Sequence, residues 1–492
     1  MVIKNVRMRK IFSTLFLISG CYQGYSQPIT WSAPVTVYTG SGSNLHPRIS
    51  LNRSGNPLIL WGKTDTRAYF SRWNGTAFTA PATVSGPLTI FAQWWAGPDM
   101  ATFGDTVYAT MKVTPENVIT AYDYLVHSYD GGMTFSAPVR IDNIDTNTSR
   151  FPIVTTTSTG NPLIAFMKFN SSTLYSGSHY VVVRSTDFGN TFSTEVQASS
   201  VAGEVCNCCP ATIVSSGSNA IMLYRNNLTN IRDIWAGIST DGGMTFPNNI
   251  DADINNWLVT SCPASGPDGF VIGDSIYTVF MSKPTGTSMV YLSHSSISAL
   301  SSYTNPITGM FSGLLSQNYP RIANAGYAAA AVWTQNTSSG NTIAYAFTNN
   351  IAYGFSGYNT VTGATGSGIM NADVAMSPGF VHVVWEDDNT GNVMYMKGAY
   401  TISTTSVEPL AKKELIEVYP NPANENFSVR LNGIGNISSC FLSDIAGRQI
   451  QLQPTYKNGI AIFSLHGIAK GGYYFVLTDD AGKNYYSKIV VQ

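Results

Sequence analysis

Ser128-Tyr129-Asp130-Gly131-Gly132-Met133-Thr134-Phe135 recurs about fifty residues later as Ser185-Thr186-Asp187-Phe188-Gly189-Asn190-Thr191-Phe192. It recurs once more as Ser239-Thr240-Asp241-Gly242-Gly243-Met244-Thr245-Phe246. The shared frame, Ser-x-Asp-x-Gly-x-Thr-Phe, is a recipe for a tight hairpin. A short carboxylate can accept the backbone N–H groups of its own turn, glycine allows positive φ, and the aromatic residue opens the next strand and packs between sheets. A pattern repeated at a fixed period points to a repeat architecture.

The period extends beyond the turns. Modules open on Pro47-Arg48-Ile49, Pro98-Asp99-Met100, Pro152-Ile153-Val154, Pro210-Ala211-Thr212, Pro267-Asp268-Gly269 and Pro320-Arg321-Ile322, with Ala372-Asp373-Val374 as a seventh copy lacking the proline. A second strand follows in each and usually ends on an aromatic residue, as in Leu58–Trp61 and Val381–Trp385. A third leads to the turn or to a degenerate form such as Trp73-Asn74-Gly75-Thr76-Ala77-Phe78. The fourth-strand phrase Phe135-Ser136-Ala137-Pro138-Val139 also occurs ahead of the first module, as Trp31-Ser32-Ala33-Pro34-Val35, whereas the last module ends near Tyr400 without one. An N-terminal strand that completes the final module would remove a free sheet edge, as in a β-propeller. The three turns resemble the Asp boxes of sialidase-type β-propellers. Seven modules are counted; sialidases have six, and six remains open if one module is miscounted. The fold expected is all-β, a propeller over 27–400 plus a small C-terminal β-sandwich.

The composition narrows function. Charged residues make up 11% of the 492 and the formal net charge is -1, so the basic stripe that a nucleic-acid partner requires is missing. Lys4, Arg7, Arg9 and Lys10 precede the apolar run Ile11–Ile18, which reads as a signal peptide over 1–26, cut between Ser26 and Gln27. Ile18-Ser19-Gly20-Cys21 also fits a lipoprotein cleavage box, the less favoured alternative. No later stretch has eighteen consecutive apolar residues, so no transmembrane segment is expected after processing.

Residues 401–413 read as a linker. Beyond it Tyr419-Pro420-Asn421-Pro422-Ala423, Phe427-Ser428-Val429, Leu442-Ser443-Asp444-Ile445-Ala446-Gly447-Arg448, Gly471-Gly472-Tyr473-Tyr474 and Lys488-Ile489-Val490-Val491 follow in order. Residues 414–492 resemble the type A sorting domain of the type IX (Por) secretion system. That resemblance implies a β-sandwich, the secretion machinery as a partner, and delivery to the cell surface or beyond it.

In a propeller the first strand of each module lines the channel from the ligand-binding face and the second returns to that face, while the Asp boxes lie opposite. The variable position after each opening residue is therefore where a site can be written: Arg48, Asp99, Ile153, Ala211, Asp268, Arg321 and Asp373. Second-strand ends add Lys63, Lys112, Lys168, Arg225 and Glu386, and Trp94 and Trp95 precede the second module. Arginines suit a bidentate grip on a carboxylate, an Asp of raised pKa can protonate a leaving group, and aromatic faces stack on sugars. The sialidase resemblance implies an arginine triad, for which Arg48, Arg321 and Arg225 stand in. It also implies an acid, Asp99, and a Tyr–Glu nucleophile pair, for which Tyr319 and Glu204 are the candidates. The family's Phe/Tyr-Arg-Ile-Pro order is replaced here by His46-Pro47-Arg48-Ile49-Ser50. An exo-α-sialidase-like hydrolase acting on acidic terminal sugars, a non-catalytic propeller binding a glycan or glycoprotein, and an adhesive or display role are thus all open.

Cys206, Cys208 and Cys209 fall at the same place in their module as Cys262 does in the next. In an exported chain the expectation is two disulfides fastening the fourth module to the fifth, with a thiolate metal site as the alternative. No cofactor is expected. The six histidines form no His-Glu-x-x-His, and neither a Gly-x-Ser-x-Gly elbow nor a phosphate-binding glycine loop occurs.

Overall fold

The computed structural model describes residues 29–492 except 41–43, 64–65, 143–144, 146, 174, 200–202, 308–315, 402–413, 432–435, 444–448, 458 and 481–483. The expected signal peptide, Cys21, nearly all of the linker and 444–448 lie outside the described residues. The chain divides into two compact units, Met1–Ile402 and Ser403–Gln492.

The first unit is a β-propeller of seven antiparallel sheets, here called blades one to seven. The innermost strands are Asn44–Leu51, Asp99–Phe103, Asn147–Thr156, Thr212–Ser216, Asp268–Ile272, Ser316–Ala325 and Ile369–Ser377. Second strands such as Pro57–Lys63 and Phe380–Asp387 are covered on both faces, which is why they read as continuous apolar runs. Trp61, Trp333 and Trp385, near the ends of three of them, are fully buried. The fourth strand of blade seven comes from the start of the chain: Thr30–Trp31 and Val35–Tyr38 both pair with Asn392–Ala399. Gly398 is required there, because a Cβ would collide with Ile29 and Trp31.

Neighbouring blades are joined by aspartates at the repeated position. Asp99 Oδ2 accepts from Val154 N–H, Asp268 Oδ2 from Ile322 N–H and Asp373 Oδ2 from Ile49 N–H, each at 2.9 Å. The last of these bonds makes blades seven and one neighbours.

The three octapeptide turns are built alike. In the first, the Ser128 hydroxyl donates to Asp130 Oδ1 (2.7 Å) and accepts from Gly132 N–H (2.9 Å). Asp130 Oδ1 also takes the N–H groups of Met133 and Thr134, and its Oδ2 takes the Thr134 hydroxyl. Gly132 has φ +80, and a Cβ on it would enter the ring of Phe70 in blade one. Phe135 packs edge-on against that same ring at 5.0 Å, so the aromatic residue does sit between sheets. In the degenerate turn Asn74 Oδ1 takes the carboxylate's place, accepting from the N–H groups of Thr76 and Ala77.

The second unit is a sandwich of a five-stranded and a four-stranded sheet. Phe427, Phe463 and Phe475 meet at its centre with ring centroids 4.9–5.0 Å apart. The Pro-Asn-Pro phrase docks on the last strand: Asn421 Nδ2 donates to Lys488 O and its Oδ1 accepts Val490 N–H.

Candidate functional site

Four innermost strands begin upstream of their opening residue and carry a bulge just before it. The bulged residues, His46, Phe151, Tyr319 and Asn371, have φ of 58, 55, 54 and 50. Positive φ in non-glycine residues is costly and persists only where surrounding structure enforces it, and such residues cluster at functional sites. All four line a channel of about 490 Å³ along the innermost strands. His46, Phe151 and Tyr319 each precede a proline, where extended backbone is expected, so the bulge is not legible from residue order.

The segment leading into blade two reaches across the mouth. Asn371 of blade seven donates through Nδ2 to Trp94 O, and the Trp94 ring meets that of Tyr319 in blade six at 5.8 Å. The Trp95 ring meets Phe151 of blade three at 5.4 Å. Trp94 is 42% exposed. Arg150, absent from the sequence reading, lies over Phe151 (4.0 Å to the centroid), pairs with Glu116 (2.7 Å) and donates to Asn207 O.

Below the aromatic residues sits a charged floor. Arg321 faces Asp373 (3.1 Å), Asp268 (3.6 Å) and Asp99 (4.0 Å), and Arg48 faces Asp99 (3.5 Å). Arg48 also contacts His46 Nε2 and donates to Pro47 O. Burial, then Arg321, lowers Arg48 to about 10, while burial raises Asp99 and Asp268 above the ordinary carboxylate range against the pull of the arginines. Glu386 accepts from His46 N–H and from Asn371 Nδ2, both at 2.7 Å. Burial, with Asp388 adding to it, pushes its carboxyl up to about 8. Burial and then the Glu386 charge raise the Tyr319 hydroxyl.

The expected set is thus brought together in part. Arg48, Arg321, Asp99, Asp268, Tyr319 and Trp95 line the channel, and Asp373, Glu386 and Trp94 each contact a residue that does. Arg225 does not join them. Its fully buried guanidinium donates to Ser265 O (3.0 Å), Arg232 O (2.6 Å) and Met281 O (2.6 Å), so it ties blade four to blade five and has no face for a ligand. Glu204 is a blade-edge residue that accepts Gly177 N–H (2.6 Å); the carboxyl that bears on Tyr319 is Glu386.

The cysteines pair as Cys206–Cys209 and Cys208–Cys262, with Cα separations of 5.5 and 6.4 Å, both suited to a bridge. Only Cys208–Cys262 joins the two blades; Cys206–Cys209 closes a local ring, which corrects the expectation of two inter-blade links. The sulfurs of Cys206, Cys208 and Cys209 lie within 4.8 Å of one another.

Comparison with known proteins settles the C-terminal unit. Residues 417–492 match the Secretion system C-terminal sorting domain (Por_Secre_tail) family. This segment is a type IX sorting domain. It sends the chain to the cell surface or into the medium. Among the described residues, no helix is long and apolar enough to cross a membrane. No curated protein matches the chain significantly. A PL25 ulvan lyase bound to a GlcA(1-4)Rha3S unit is 11% identical over 74% of this chain and 96% of its own, with a TM-score of 0.51. The likeness is one of fold. A Dyadobacter fermentans protein of unknown function (10% identity, 76% of this chain and 99% of that one, TM-score 0.47) is also similar. So is a mutant Trypanosoma rangeli sialidase (10%, 94% and 88%, 0.44).

Proposed function

We propose that the propeller is a glycan-recognising module exported by its sorting domain, and that its site is the channel mouth. The observation that carries this reading is the gathering of Trp94, Trp95, Phe151 and Tyr319 above a polar floor. Flat aromatic faces stack on the apolar faces of sugar rings, and side-chain carboxylates and guanidinium groups below suit their hydroxyls. The three turns fit the Asp-box reading and leave this face free, since they lie between third and fourth strands. A glycan array probed with the secreted chain tests the proposal. Binding lost in Trp94→Ala supports it; a folded protein that binds no glycan sinks it.

Hydrolysis is a second reading, favoured by Tyr319 beside Glu386 with the carboxyl of Asp99 on the same floor. A tyrosine nucleophile, a neighbouring carboxylate to take its proton and a second carboxyl to protonate the leaving group would suffice for a retaining mechanism. Fluorogenic glycosides, sialosides included, give the assay. Turnover abolished by Tyr319→Phe with binding intact supports catalysis, and turnover that persists in that variant removes Tyr319 from it.

A further inference from the structure

The charge balance of the channel floor bears on which sugars can enter, an inference that rests on the glycan reading above. The floor holds two guanidinium groups, Arg48 and Arg321, and three carboxylates, Asp99, Asp268 and Asp373, all within 4.0 Å of an arginine partner. Both arginines have acid partners within 4.0 Å, so their charge is balanced before any ligand arrives. Arg321 is ringed by three acids, and Arg48 is held by Asp99, His46 and Pro47 O. Nor can the acids step aside cheaply, because each also accepts the inter-blade N–H bond of Ile49, Val154 or Ile322.

Other cations at the same end of the blades are also engaged. Arg225 is spent on three carbonyls, Arg150 on Glu116 and Asn207 O, and Lys168 on Asp145 and Glu195. His46, lowered by burial and by Arg48, adds no positive charge near neutrality.

With all five groups ionised the floor carries one negative charge in excess, and an acidic sugar would bring a second. Burying an unpaired charge is among the most expensive things a site can do. An ammonium group would instead supply the missing counter-charge, and the Tyr319 ring, unlike those of Trp95 and Phe151 that Arg150 already covers, attracts cations. We propose that the channel selects sugars bearing a free amino group, tolerates uncharged ones and rejects acidic ones, with Asp99, Asp268 and Asp373 as the residues that set this order.

The test is calorimetric titration of the secreted chain with three oligosaccharide probes: chitosan oligomers (free amine), the N-acetylated chitin oligomers and oligogalacturonate (carboxylate). The amine probe should bind at least about tenfold more tightly than the acidic one, with the difference shrinking as salt rises. Asp268→Asn keeps an oxygen to accept Ile322 N–H while removing one charge, so it should narrow that gap; Asp99→Asn is the second variant if the first fails to fold. Equal or tighter binding of oligogalacturonate by the unaltered chain overturns the charge-selection proposal and leaves glycan recognition standing. Failure of all three probes, with no binding on a wider array, overturns the glycan reading and this inference with it.

Discussion

Arg225 shows how a single residue can mislead. It occupies the same second-strand position as Lys112, Lys168 and Glu386, and arginine at a propeller's ligand face is chemically suited to carboxylate binding. The loop of blade five nevertheless brings Ser265 O and the strand end Met281 O onto its guanidinium, and Arg232 O completes the set. Removing the side chain would strand three buried carbonyls. Arg225→Leu is expected to cost more than about 3 kcal/mol by denaturant unfolding. Loss of glycan affinity without loss of stability would return Arg225 to the site. Asp99 carries the opposite lesson, because it serves at once as an arginine partner and as the acceptor that joins blades two and three.

At the scale of elements, the turn and the bulge differ in how far they could be read. The octapeptide turn is written within itself: Ser, Asp, Gly and Thr satisfy one another across four residues, so residue order alone was enough. The bulge at His46, Phe151, Tyr319 and Asn371 depends on partners from other blades. At the first three a proline next in line argued for extended backbone, and nothing local signalled a left-handed residue at any of the four. The aspartate links were illegible for the same reason, since their acceptor–donor pairs lie 54 to 324 residues apart, as Asp268 to Ile322 and Asp373 to Ile49 illustrate. Asn371 ties two elements, holding Trp94 O while Glu386 holds its amide. Asn371→Gly keeps the positive φ free of strain and deletes the amide. Amide hydrogen exchange over 92–96 should then quicken; unchanged exchange would mean that ring contacts alone hold this segment.

The whole molecule has two opposing sets of acids, and together they predict its response to pH. Burial raises Glu386 to about 8, Asp123 and Asp251 to about 7 and Asp233 to about 6, so the native chain keeps protons that an unfolded chain sheds near pH 4. The contribution of these acids falls as pH climbs from about 4 to 8, opposed below about 6.5 by His46, His127 and His382, which burial holds neutral. The turn aspartates act in the other direction. In Asp187 the Thr191 hydroxyl and amide hold the carboxyl at about 2. In Asp130 and Asp241 the burial penalty is overcome by bonds from the turn's threonine and serine, again to about 2. Their contribution is complete above about pH 4 and is lost as pH falls toward 2. Melting temperature should accordingly drop below about pH 4 and again as pH climbs from about 6.5 to 8, and a peak above pH 8 would contradict the burial of these acids.

The pairing of Thr30–Trp31 and Val35–Tyr38 with Asn392–Ala399 has a consequence for biogenesis. Translation delivers the first of these segments long before the last, so blade seven cannot be finished until nearly the entire propeller has been made. The sorting domain is synthesised later still. Any prematurely terminated chain that ends before Asn392 therefore lacks both a completed ring and its export address. A chain clipped at its N-terminus past Tyr38 keeps the address but offers an unpaired strand, a sticky edge that invites association with another copy. The join thus ties length proofreading to secretion competence, and it makes the segment from Thr30 to Tyr38 the place where degradation would be least forgivable.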